Sequence, residues 1–308
     1  MIRGLDLVRS WDIPKRYLSI VLYDGREGGL QSKKELSRLG IEAKINFQTH
    51  ATVYGMVPES NINITGLTRD VMCFLSTSYT YWAGNVIYNR IVIDAGYEGK
   101  HAIIYDGNIE EATPNLDSAD FNISLKCSSY QNYFNRDVKS INQDGEATVN
   151  EIANKIAKEM GDVVVVGSLP DSYKVVDFNM QDTNPINQIR YLASQSDTNI
   201  YLENNRLYLK EKDKENPSVG KIIIDSSQII GAPIPTNRGC RVKIRMNPNV
   251  VCGAPVELKS SRFDTINWDG YYLASYSHTG ETKGRAWFTT LELTRTKIFE
   301  KVKGGDNG

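Results

Sequence analysis

The sequence predicts an α+β protein that is mainly β, with two small antiparallel β-barrel domains and an α/β insert between them. Apolar and polar residues alternate with a period of two through 41–127 and again through 238–293, as in half-buried strands. Between these regions, 148–194 carries two helix patterns with clear start signals. The predicted units are an N-terminal barrel with one short helix, the insert, a C-terminal barrel and a flexible tail, at 1–140, 141–211, 212–300 and 301–308.

Residues 1–40 give a weak pattern apart from one strand at 18–23. Stronger alternation begins at Ile41 and predicts a strand through Phe47, followed by a strand around Ile62 and Ile64. Thr68 is a good N-cap for a short helix. Three further strands are predicted in the same unit, around Ile91 and Ile93, at 103–109 and at 121–127.

The insert begins with a capping box, because Thr148 and Glu151 have the spacing at which each side chain satisfies a backbone N–H. Apolar residues at helical spacing follow as far as Gly161. Residues 163–166 are predicted to be a buried strand, and Pro185 opens a second helix. Asn204-Asn205 between two apolar runs predicts a hairpin, and the polar stretch 212–218 predicts a linker or an exposed loop.

Four strands are predicted in the C-terminal unit, and they share one polar face. Residues 240–246 alternate strictly and end at a turn, Asn247-Pro248-Asn249. The other strands are predicted around Val256 and Leu258, at 271–275 and at 287–293. This unit resembles the N-terminal one in outline, at an offset of about 167 residues. Duplication and chance similarity of two meanders both explain that outline.

Composition and motifs give no sign of catalysis or of a membrane segment. The formal net charge is −1, so no global field attracts nucleic acid or anionic membrane. No apolar run approaches the roughly 20 residues that span a bilayer, and charges near the N-terminus break any signal-peptide core. The four cysteines lack metal-site spacing and are expected to be buried thiols in a reducing compartment. The three histidines are expected to be partly exposed strand residues.

Two groups of residues offer alternatives in which the protein acts on, or binds, a carbohydrate. Glu110, Glu111 and the acidic residues of 117–120 follow a strand in a predicted loop. A glycosidase needs two carboxylates about 5–10 Å apart, although loop carboxylates are more often simply solvated. The aromatic run at 271–276 is typical of a sugar-binding platform, or of a core or subunit interface. No catalytic, cofactor-binding or metal-binding residue is predicted.

The densest basic surface is predicted on one strand, where Arg241, Lys243 and Arg245 project from the same face because side chains repeat every second residue. One interpretation is a surface that meets phosphates or an acidic partner. The other is an ordinary solvated face balanced by Glu257 and Asp264.

Several segments together resemble the central baseplate hub proteins of contractile-tailed phages, the tail hub family that includes late-control protein D. The C-terminal segments resemble the terminal barrel of these hubs, the insert resembles the region before it, and the N-terminal segments resemble the first barrel. The matching segments are 62–70, 93–97, 104–109, 148–160, 185–194, 200–210, 229–233, 239–258, 270–280 and 287–293.

The resemblance implies a structural virion component without catalytic activity. Such a hub is a homotrimer whose six barrels join a sixfold tail tube to a threefold spike around a channel. The implied partners are the central spike protein, the tail tube or tube-initiator protein and the tape-measure protein, with transient passage of DNA. Synthesis in the host cytoplasm, assembly into the virion tail baseplate and no membrane insertion are implied, with a related contractile injection machine as the other setting. Arg241, Lys243 and Arg245 are then candidates for the channel wall or a charged interface.

Overall fold

The computed structural model describes residues 14–26, 32–54, 57–78, 87–115, 121–129, 138–161, 163–261 and 264–295. The N-terminal part contains β1 (Arg16–Tyr23), β2 (Glu35–Gly40), β3 (Lys44–Thr52), β4 (Glu59–Thr65), α1 (Arg69–Thr77), β5 (Arg90–Tyr97), β6 (Lys100–Asn115) and β7 (Asn122–Ser128). The middle contains β8 (Ile141–Thr148), α2 (Val149–Met160), β9 (Val164–Val166), β10 (Lys174–Met180), α3 (Pro185–Ser196), β11 (Thr198–Glu203) and β12 (Arg206–Glu211). The C-terminal part contains β13 (Ile222–Asp225), β14 (Ile234–Pro235), β15 (Gly239–Arg245), β16 (Pro255–Lys259), a 3-10 turn (Asp264–Ile266), β17 (Trp268–Glu281) and β18 (Trp287–Arg295).

One thirteen-stranded sheet runs through both β-rich parts, which confirms a mainly β, α+β fold. Its main path is β14-β15-β18-β17-β3-β4-β7-β6-β5-β1-β2, and β16 and β13 extend from β17. The two parts join where β17 pairs with β3, from Ser275 opposite Thr52 to Glu281 opposite Asn46. The described strands do not close into barrels by pairing, so the two-barrel architecture stays a prediction.

Two apolar cores lie against this sheet, and each borrows residues from the other end of the chain. The first is built mainly from β1 and β3–β7, but includes Met246 and Trp287. The other is built mainly from β15–β18, but includes Ala51 and Val53 from the end of β3 and the residue after it. The exchange across the β3–β17 pairing packs the two parts together.

Arg16 and Thr282 reinforce the junction between the two parts with hydrogen bonds. The Arg16 guanidinium donates to the carbonyls of Glu281 and Gly284 at 2.8 Å and of Arg285 at 3.2 Å. The Thr282 hydroxyl donates to the Ala43 carbonyl and accepts from the Ile45 amide at 2.9 Å. These bonds fix the β17–β18 turn to the N-terminal part at residues more than two hundred positions away.

The insert has its own core and shares one hairpin with the C-terminal part. The capping box at Thr148 and Glu151 is confirmed, as is the helix that starts at Pro185, whose N-cap is Asn184. Asn204 and Asn205 form the predicted hairpin turn, both with positive φ. Alternate residues of the hairpin β11–β12 face opposite ways: Ile200 and Leu209 join the insert core, whereas Tyr201 and Tyr208 join the C-terminal core.

Glu203 is a fully buried carboxyl group in this shared hairpin. Its Oε1 accepts a hydrogen bond from the Tyr276 hydroxyl at 2.5 Å, while its Oε2 has no partner among the described residues. Burial raises the pKa of Glu203 from 4.5 to about 7, although the Tyr276 hydroxyl, the Cys252 amide and Arg206 act in the opposite direction. The folded protein therefore holds this proton more tightly than the unfolded chain does.

We expect the Glu203 contribution to stability to be full below pH 4.5 and to be lost as pH rises through about 7. Glu203→Gln cannot lose this contribution, because its amide does not titrate. Its free energy of unfolding minus that of wild type should therefore rise by about 3 kcal/mol between pH 4.5 and pH 8. Urea unfolding across this range measures it, with exposed Glu159→Gln as the matched control. Parallel wild-type and Glu203→Gln profiles would show that the carboxyl group does not titrate as its burial implies.

Several local predictions are wrong. The strand β9 is not fully buried, because Val164 is 62% exposed at the edge of a three-stranded sheet. Cys73 is exposed on α1, whereas Cys127, Cys240 and Cys252 are buried as expected. The strand after residue 40 starts at Lys44, because 41–43 form a turn. Among the described helices, none combines the length and apolar character needed to cross a membrane. The tail at 301–308 lies outside the described residues.

Candidate functional site

A polar face crosses seven neighbouring strands of the sheet, on the side opposite the two cores. In β3, β4 and β15, residues alternate between buried and exposed, so every second side chain points to this face. Its members on the seven strands are Arg241, Lys243, Arg245, Phe288, Thr290, Glu292, Ser275, Ser277, Thr279, Asn46, Gln48, His50, Glu59, Asn61, Asn63, Ser124, Lys126, Glu111 and Thr113.

Strand register lines these side chains up in rows across both parts of the molecule. In one row, Lys243 lies opposite Thr290, Thr290 opposite Ser277, Ser277 opposite His50, and His50 opposite Glu59. The row crosses the β3–β17 junction without interruption. The sequence could not reveal this continuity, because no local pattern encodes the pairing of β3 with β17.

The basic strand β15 lies at one end of the polar face. Arg241, Lys243 and Arg245 are all exposed on the same side, as the alternation predicts. Arg241 forms an ion pair with Glu292, and the Lys243 ammonium lies 4.3 Å from the ring centre of Phe288. Their role as channel or interface residues stays a prediction.

Glu257 does not balance this basic strand. Its carboxylate pairs instead with Lys221 at 3.0 Å and Lys259 at 2.7 Å. Asp264, the other residue expected to balance the strand, has a side chain that lies outside the described residues. The expected balance from Glu257 is therefore wrong, and the balance from Asp264 stays a prediction.

An acidic cluster lies at the opposite end of the polar face. The prediction of a loop at Glu110 and Glu111 is wrong, because β6 continues through both, with a β-bulge between Ile109 and Glu111. Glu111 faces Lys126 across the β6–β7 pairing, and Glu59 is exposed nearby on β4. Partial burial raises the pKa of Glu110, which Lys126 opposes and Glu59 reinforces. The acidic residues of 117–120 lie outside the described part of the chain.

The aromatic run is not a surface platform. Tyr271, Tyr272 and Tyr276 are at most 5% exposed, and all three belong to the C-terminal core. Their rings are therefore not available to stack on a sugar, and the prediction of a carbohydrate-binding platform here is wrong. The reason is that β17 is covered on both faces from Tyr271 to Ala274, where four consecutive residues are buried.

The chemistry of the polar face suits contact rather than reaction. Its residues on the seven strands carry amides, hydroxyls and charges of both signs. Phe288 is the large apolar side chain among the residues named above. Within the part of the chain that the structure describes, no group of histidine, cysteine and acidic side chains could hold a metal ion. The residues named above therefore form no large exposed apolar patch of the kind that marks a hydrophobic binding site.

A family model and several solved structures are similar to this chain. The family model described as Baseplate hub gp41 matches residues 29–293. The chain is similar to a 43 kDa tail protein of prophage MuSo2 from Shewanella oneidensis, at 11% identity and a TM-score of 0.56, covering 91% of this chain and 98% of that one. It is also similar to a tail protein from Neisseria meningitidis MC58, at 13% identity and a TM-score of 0.57, covering 91% and 97%.

A third similar structure comes from a secretion system. The E. coli c3393 protein, described as a type VI secretion system component with structural similarity to T4 phage tail proteins gp27 and gp5, matches at 9% identity and a TM-score of 0.50. The match covers 82% of this chain and 74% of that one. At such low identities these structures support the fold alone. No curated protein sequence matches the chain.

The family model covers most of the chain, including nearly all of the thirteen-stranded sheet and the whole insert. It confirms the resemblance to phage baseplate hubs. Members of such a family are structural components of the virion tail. The chain belongs to the family of baseplate hub gp41 proteins.

Proposed function

We propose that three copies of this chain form a closed ring at the centre of the baseplate, with the polar face turned inward. The ring joins the sixfold tail tube to the threefold central spike and encloses a channel for tape-measure protein or genome. The observation that carries the proposal is the polar face, which continues across the β3–β17 junction. An uninterrupted hydrophilic wall built from both parts of one chain is what a channel lining requires.

The two cores of each chain explain how a ring of three chains meets a sixfold tube. Each chain has two sheet-and-core units, an N-terminal one in 1–140 and a C-terminal one in 212–300, with the insert 141–211 between them. Three chains then present six such units. A ring of six similar units matches a sixfold tube on one side, while its true threefold symmetry matches a spike on the other.

Strand spacing gives the scale of such a channel. Seven strands at about 4.8 Å each cover about 34 Å of arc per chain. Three chains give a circumference of about 100 Å, or about 32 Å between opposite strand axes before any strand tilt. A polypeptide helix, about 10–12 Å wide, passes easily. The mixed charges would also avoid the strong phosphate binding that would hold DNA in place.

The family assignment supports a structural role in the virion tail baseplate. Synthesis in the host cytoplasm, before incorporation with spike, tube or tube-initiator and tape-measure proteins, is part of the proposal. A catalytic role at Glu110 and Glu111 is not favoured by the structure, because both lie on a strand near Lys126 rather than across a cleft.

The mass of the purified protein tests the proposal. Light scattering of the chain alone should find a particle of about 104 kDa, three times the 34.6 kDa of one chain. With spike and tube proteins added, the complex should be heavier and should contain three copies of this chain. A stable monomer under both conditions would contradict the ring.

A further inference from the structure

The two ends of the polar face differ in charge. At one end, β15 carries Arg241, Lys243 and Arg245 against the single carboxylate of Glu292. At the other end, Glu111 lies opposite Lys126, and Lys126 and Glu59 both lie close enough to Glu110 to act on its charge, so three carboxylates meet one ammonium group among the described residues. The chain as a whole is nearly neutral, with a formal net charge of −1. The separation of charge is therefore local to this face rather than a consequence of composition.

The basic end also exposes apolar side chains. Ile234 lies opposite Arg241 and is 57% exposed. Ile229 bridges to Ile244 and packs on the core, so the next residue, Ile230, turns to the polar side, where it is 41% exposed. Two exposed isoleucines beside three basic residues form a surface that is typical of an interface, here at one end of the polar face.

The acidic end is an edge of the sheet. The strand β5 pairs with β6 only as far as Asn108, and beyond that residue β7 lies on one side of β6. No described strand lies on its other side from Glu111 to Pro114. Proline has no N–H to donate, so Pro114 here and Pro235 in β14 at the opposite end both disfavour a continuous strand ladder. Contact between such edges must rely on side chains.

We propose that the two ends bind each other in neighbouring copies of this chain: the basic end of one copy, with Lys243, Arg245, Ile230 and Ile234, contacts Glu110 and Glu111 of the next. This inference rests on the ring proposed above and assigns its subunit interface. The contact is head-to-tail, so a rotation of one third of a turn closes it after three copies. Opposite charges at the two ends also reject the head-to-head arrangement, which would bring like charges together.

Charge reversal tests the interface. Lys243→Glu with Arg245→Glu makes both ends acidic, and Glu110→Lys with Glu111→Lys makes both basic. Each double variant should lose the trimer at a concentration where wild type forms it, with at least a tenfold weaker association. Combining all four substitutions restores opposite ends, and the trimer should return. Lys155→Glu with Lys158→Glu on α2 reverses the same number of charges away from both ends and should leave the trimer intact.

A mixture of the two double variants gives a second readout. Each acidic-ended copy binds a basic-ended copy at either end, but a ring of three cannot alternate two kinds of subunit. We therefore expect complexes of two chains, detected by light scattering, and no closed trimer. Melting curves of each variant exclude misfolding, and Ile234→Ser supplies an uncharged variant that should also weaken the trimer.

The outcomes separate the two proposals. If wild type never forms a trimer, the ring itself is wrong. If wild type forms a trimer that the charge reversals do not weaken, or that the fourfold variant does not restore, the ring stands and this interface is overturned.

Discussion

Acid should destabilise the wild-type protein through His278 far more than it destabilises His278→Gln. His278 lies on the core side of β17 and is 1% exposed. Its Nδ1 lies 2.9 Å from the Thr289 hydroxyl oxygen, its ring contacts that of Tyr276, and it is opposite Thr49 across the strand pair. No cation or carboxylate among these neighbours compensates a charge on the ring. Burial therefore lowers the pKa of His278 from 6.5 to about 3.

Protonation is linked to folding, so the direction of the pKa shift sets the direction in which pH changes the free energy of unfolding. The folded protein keeps His278 neutral, so its contribution is full above pH 6.5 and is lost as pH falls towards 3. The loss in the free energy of unfolding amounts to about 5 kcal/mol across that range. His278→Gln has no proton to gain, so its unfolding free energy should fall less steeply between pH 6.5 and pH 3.

Urea unfolding at several pH values measures the difference between the two proteins. Taking the difference removes the contributions of carboxylates whose pKa values also change on folding, because both proteins share them. One example is Asp24, since Arg26 holds the pKa of its carboxyl group below the ordinary value. His50→Gln, exposed on the polar side of β3, is the matched control and should follow wild type. Equal slopes for wild type and His278→Gln would mean that the buried ring takes up a proton without unfolding.

Trp287→Ala should destabilise the protein by about 3–5 kcal/mol, the usual cost of removing a buried indole. Trp287 begins β18, yet its ring packs in the N-terminal core, edge-on to Phe47 at 5.7 Å between ring centres. Its indole N–H donates to the Gly96 carbonyl at 3.0 Å, and Arg16 lies over its ring. The substitution therefore creates a cavity at the junction between the two parts of the sheet.

Trp287→Phe separates the contribution of ring packing from that of the indole hydrogen bond. It keeps an aromatic ring but leaves the Gly96 carbonyl without its donor, so we expect a smaller loss of about 1–3 kcal/mol. Chemical denaturation measures both variants, and one cooperative transition for wild type is also expected, because the cores share residues. A loss below about 1 kcal/mol for Trp287→Ala would show that the indole does not join the two parts.

Strict alternation made some strands predictable and left others hidden. Residues 240–246 bury every second side chain under one sheet face, so their sequence reports their structure directly. β8 has the polar sequence INQDGEAT and pairs only with β10, which itself contains a bulge. β2 buries no residue fully, and β14 has two residues. These strands are held by their neighbours rather than by a periodic pattern.

The candidate site was predictable in part. The shared face of Arg241, Lys243 and Arg245 follows from the period of two, and the structure confirms that geometry. The opposite end was missed, because Glu110 and Glu111 follow an apolar run and resemble the start of a loop. A β-bulge carries the strand past them. The pairing of β3 with β17 joins residues far apart in sequence. This pairing decides which rows of side chains are continuous and which ends of the sheet lie far apart.

An end-on electron-microscopy view of the assembled hub tests the central claim most directly. We expect a ring of three chains, six similar units around one pore, with the strand bearing His50 and Gln48 lining the opening. A particle with the polar face on its outer surface, or with no pore, would contradict the account.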